Sequence, residues 1–176
     1  MRHSDKKNDG YAIRSLSMTA LFASLSLVFG YIEYLIPFNF GIPGVKLGLA
    51  NLITVIMLYT FSHRQAFCVL IIRILACSIL FGNIYSLWYS LAGGILSFAM
   101  MAIIKGIRGF SSVGVSIVGG VCHNIGQLIV AILLLDSPQI ALYLPVLLIS
   151  GAITGAIIGI TAYPIIKRLK EADLVS

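Results

Sequence analysis

Six apolar stretches, each long enough for a helix and each closed by a short turn or charge signal, organise the chain: 15–36, 41–61, 65–81, 85–104, 112–135 and 139–163. A bilayer core about 30 Å thick takes roughly 20 apolar residues per helical crossing, so each stretch is predicted to span. Between them lie Pro37, Asn39, Gly41 and Pro43, then 62–64, Gly82 with Asn83, 105–110 and 136–138. These are residue types that turn the chain or resist lipid. The expected fold is all-α: a polytopic bundle of six transmembrane helices forming one domain (15–166), with polar tails at 1–14 and 167–176.

Composition removes the soluble alternative. The chain is 59% hydrophobic and 10% charged, whereas a soluble domain carries roughly 25% charged residues. The excess of 12 Lys and Arg over 6 Asp and Glu would suggest nucleic acid in a soluble protein, but its placement has another reading. Arg2, Lys6, Lys7, Arg14, Arg64, Lys105, Arg108, Lys167, Arg168 and Lys170 all fall on one side of the proposed segmentation, and the opposite loops have no basic residue. By the positive-inside rule both termini face the cytoplasm of a cell membrane, and no nucleic-acid partner is implied.

Residues 1–10 are polar, and the first apolar run lacks a small-residue cleavage site, so that run is expected to remain as a helix. Cys68, Cys77 and Cys122 show no CxxC spacing, which argues against a disulfide framework or a zinc site. There is no GxxxxGK[ST], HExxH or GxSxG. The aspartates Asp5, Asp9, Asp136 and Asp173 are scattered outside the spans, unlike the clustered carboxylates that hold magnesium in diphosphate chemistry. Neither a metal, a cofactor nor an enzymatic activity is expected.

Polar residues at membrane depth carry the candidate chemistry. Arg73 falls in the middle of the third stretch, where a charge costs at least roughly 2.5–3.5 kcal/mol and so must face protein, water or a ligand. Glu33 and Lys46 sit near the outer ends of the first two stretches, and His123, Asn124 and Gln127 mid-way along the fifth. Helical spacing gathers Thr19, Ala23, Ser26, Gly30 and Glu33 on one stripe, Lys46, Ala50, Asn51 and Thr54 on a second, and Ser116, Gly120, His123 and Gln127 on a third. Three such stripes predict a shared polar interior. There, Arg73 and Lys46 would attract an anionic group and His123, Asn124, Gln127, Asn51 and Glu33 would complete the binding set. The competing reading is structural: Glu33 pairs with Lys46 or Arg73, and the amides tie helices together. Gly151, Gly155 and Gly159 repeat every fourth residue, which lets a second helix approach closely. Ala20 with Ser24, and Thr19 with Ala23, form a weaker version, either a seam or a docking face for another membrane protein.

Three strings carry a resemblance: GIPGVKLGLAN at 41–51, YSLAGGILS at 89–97 and GGVCHNIGQ at 119–127. From residue 15 onward the chain resembles the Gx transporter family, whose members are often labelled heptaprenyl diphosphate synthase component I. That family is in turn similar to the substrate-binding S components of energy-coupling-factor transporters. The resemblance implies a six-helix S-component-like bundle that captures a small, vitamin-like or isoprenoid-like molecule and depends on a transmembrane coupling subunit and ATPases. In that group an Ala-x-x-x-Ala pattern on the first helix docks the coupling subunit, and Ala20 to Ser24 is its nearest match here. The label implies an alternative: a non-catalytic membrane subunit associated with heptaprenyl diphosphate or menaquinone synthesis.

Overall fold

The computed structural model of the chain describes residues 2–35 and 48–172, with side chains from Ile13 onward. Lys46, the Pro37–Pro43 separator and residues 173–176 lie outside them. The described residues form α1 (Arg2–Leu35), α2 (Leu49–Thr60), α3 (His63–Leu80), α4 (Ile84–Lys105), α5 (Ser112–Leu135), a 3-10 turn (Pro138–Tyr143) and α6 (Leu144–Glu171). This is an all-α, multi-pass membrane bundle.

Local chemistry sets the boundaries. Ser62 and Gln65 form a reciprocal capping box at the start of α3, and Asn83 with Ser86 does the same for α4. The Ser111 hydroxyl accepts the Gly114 N–H at the start of α5, and Asp136, with φ 44°, closes that helix in the left-handed conformation. Each cap satisfies backbone groups that a helix end leaves without intrahelical partners. At the chain ends no proline interrupts residues 2–14 or 165–171, so α1 and α6 run on as helices through much of what reads in sequence as tails. An i,i+4 pair, Lys167 to Glu171 at 3.8 Å, lies on the α6 extension.

The count of six full-length spans needs correction. Five segments are long and apolar enough to cross, namely Ile13–Leu35, His63–Leu80, Ile84–Lys105, Ser112–Leu135 and Pro138–Glu171. At 12 residues α2 extends only about 18 Å, short of the hydrocarbon thickness. It is also the most enclosed helix, with eight of its twelve residues buried, because α1, α3, α5 and α6 all pack against it.

Neighbouring contacts show the directions. Gln65 of α3 donates to Ser15 Oγ at 2.8 Å and Thr19 Oγ1 at 3.1 Å, both on α1, while Gly30 approaches Cys77, so α1 and α3 run parallel. Gly120 meets Gly151 and Ser116 meets Gly155, so α5 and α6 run antiparallel. A dry core joins all six helices in the half nearer the chain ends: Phe22, Met57, Leu70, Phe98, Val115 and Ala162 are among its members.

Candidate functional site

In the other half of the bundle the side chains no longer fill the space between α1–α3 and α4–α6. A narrow polar cleft of about 60 Å³ lies there. From one wall it receives Glu33 (α1), Asn51 (α2) and Arg73 (α3). From the other come Ser90 and Ser97 (α4), Ser116, His123, Asn124 and Gln127 (α5) and Thr154 (α6). Six of the seven residues expected to bind substrate therefore share one space; the seventh, Lys46, lies outside the described residues.

The ions are arranged unequally. Glu33 Oε1 accepts the Gly48 N–H at 2.6 Å, and Gly48, in the left-handed region with φ 73°, is the residue that opens α2. A carboxylate there meets the partial positive charge of a helix N-terminus, so Glu33 fastens α1 to α2 as well as lining the cleft. Arg73 lies near enough to feel the Glu33 charge. Its Nε is nevertheless buried without a hydrogen-bond partner among the described residues. The guanidinium thus keeps one N–H without an acceptor among the described residues.

Backbone proximity positions the facing wall. A methyl group at Gly93 would fall 2.9 Å from the His123 carbonyl oxygen and 3.0 Å from its Cε1, so only a glycine lets α4 press against the imidazole. Asn124 donates to the Leu147 carbonyl at 2.7 Å and to Ser150 Oγ at 3.2 Å, tying α5 to α6. It serves as a helix link and lines the cleft too. Among the described residues no three His, Cys, Asp or Glu side chains converge as a metal site would need.

The stripes divide. That of α5 faces the cleft along its length, but only Glu33 of the α1 stripe does. Thr19 meets Gln65, Ser26 is buried and Gly30 abuts Cys77, so this stripe packs on α3. Ala23 packs against the core, whereas Ala20 and Ser24 are exposed on the outer face of α1, joined by the Ser24 hydroxyl donating to the Ala20 carbonyl at 3.0 Å. Gly151, Gly155 and Gly159 lie against Gly120, Ser116 and Val113 of α5. Ser90, Ser97 and Thr154 are additions to the site. The seven-residue spacing of Ser90 and Ser97 across Gly93 and Gly94 marks one helix face and was the available signal.

A family model matches residues 22–165, from within α1 to within α6, and so covers every helix and every cleft residue named above. The chain belongs to the heptaprenyl diphosphate synthase component I family. No curated protein and no solved structure matches it. The expected similarity to energy-coupling-factor S components is shown by none of these comparisons. For a member of the component I family, the cleft is the place where ionisable and hydrogen-bonding side chains meet inside the bundle.

Proposed function

We propose that the chain is a non-catalytic membrane subunit that acts with other components in forming heptaprenyl diphosphate. The observation that carries this reading is the family match across the whole bundle. The cleft chemistry is in keeping with it, since among the described residues Glu33 is the one carboxylate lining it and magnesium-dependent diphosphate transfer uses several. The test is isolation of the tagged chain from native membranes in mild detergent. Heptaprenyl diphosphate-forming activity is expected to accompany it and to vanish when the chain is stripped of its partners. Activity in the stripped chain, or none in the native isolate, would overturn the proposal.

A second reading is favoured by the cleft itself: the chain binds a small anionic molecule and passes it inward across the cell membrane, with both termini cytoplasmic and a coupling subunit and ATPases supplying energy. Arg73, half-buried and with its Nε lacking a partner among the described residues, is the anion-attracting group. Mass spectrometry of gently purified protein is expected to find a bound anion that Arg73→Gln loses. Retention of that anion by the Gln variant would remove Arg73 from the site.

A further inference from the structure

Resting on the second reading, in which the cleft binds an anion, we infer that the ligand is an amphiphile whose headgroup enters the polar cleft and whose apolar tail occupies the chamber beside it. The cleft has a volume of about 60 Å³, room for a few waters or one small group at a water's share of roughly 30 Å³. Whatever binds there must place its bulk elsewhere. The adjoining space is a chamber of about 390 Å³ between α4, α5, the 3-10 turn and the start of α6, within the roughly 300–1,000 Å³ of small-molecule sites.

The chamber is lined mainly by hydrocarbon, including Leu128, Ala131, Leu135, Ile140 and Leu147. Asn124 and Gln127 belong to both spaces. The two cavities therefore share a pair of amides in their walls, with polar surroundings on one side and apolar on the other. Asn124 spends its amide N–H groups on α6, which fixes the partition between the compartments. The head is anionic because Glu33 is held by the Gly48 N–H, while Arg73 Nε has no partner among the described residues.

The test uses the full chain in detergent and isothermal titration with inorganic phosphate, butyl phosphate, octyl phosphate, geranyl phosphate and octanol. Octyl or geranyl phosphate is expected to bind at least tenfold more tightly than butyl phosphate, with octanol weaker than either. A preference for geranyl phosphate points to an isoprenoid source and one for octyl phosphate to an acyl source; each supports the inference. Ala131→Trp, which fills the chamber, is expected to remove the gain from the tail, and Arg73→Gln to weaken every phosphate. Leu135→Gln serves in place of Ala131→Trp if that variant fails to elute as a single species. Equal affinity for all the phosphates, or an undiminished tail gain in the chamber variant, overturns the amphiphile and leaves the anion site standing. Absence of binding by every phosphate overturns the anion reading with it.

Discussion

Where α5 lies against α6, backbone touches backbone: an added methyl at Gly155 would fall 2.5 Å from the Ser116 carbonyl oxygen and 2.7 Å from Ile117 Cα. Where α1 lies against α3, side chains fill the gap, as at Gly30, whose nearest obstacle is the Cys77 thiol. The two halves also divide the cleft chemistry. Glu33, Asn51 and Arg73 come from α1–α3, while His123, Asn124, Gln127 and the hydroxyls come from α4–α6. Along the glycine seam most close contacts are backbone on backbone, so α4–α6 is expected to be the stiffer wall. Any widening of the 60 Å³ cleft is therefore expected on the α1–α3 side.

The largest effect is expected from attacking the seam. Gly155→Leu should abolish accumulation of folded protein, because its neighbours are backbone atoms that cannot step aside; size-exclusion chromatography of the membrane extract reads this directly. Gly30→Ala is the contrast. It should give a folded, modestly destabilised protein whose loss is relieved by Cys77→Ala, since a thiol can be removed. Equal damage at the two positions would erase the distinction between the halves.

A middle-sized effect is expected at the α1–α2 link. Glu33→Ala removes the acceptor for the Gly48 N–H and should cost about 1.5–3 kcal/mol, the range for hydrogen bonds to charged groups, measured by thermal unfolding in detergent. Glu33→Gln keeps an acceptor without the charge and should recover part of it. Wild-type stability in Glu33→Ala would mean that the start of α2 is held by something else.

Much of this difference could not be read in advance. The stretch 112–135 coincides with α5 because its stops are local: a serine cap at Ser111 and the left-handed Asp136. The glycine repeat of the last helix was legible for the same reason, since spacing along one helix is a local property. The central place of α2 was not, because enclosure depends on which helices surround it. Nor was the turn of the α1 stripe onto α3, since Thr19 meets Gln65 across 46 positions. The chamber left no trace at all: Leu128 and Ala131 facing a cavity look in sequence like leucine and alanine facing lipid.

The smallest expected effect lies at the joint where the halves stay together. Lys105, at the end of α4, donates to the Leu58 carbonyl in the last turn of α2, and its Nζ lies 5.3 Å from the centre of the Tyr59 ring. A cation there meets the partial negative charge of a helix C-terminus and the face of an aromatic ring, each contributing about 0.5–1 kcal/mol. Lys105→Met keeps the apolar stem and loses both, so the protein should unfold at a slightly lower temperature, with Lys105→Arg close to wild type. If α1–α3 moves against α4–α6 about this joint, Lys105→Met should also raise the reactivity of a cysteine placed at Ser97 in the cleft toward a small water-soluble thiol reagent. An unchanged rate, with the expected loss in stability, would keep Lys105 as a clamp and deny the joint any part in opening the cleft.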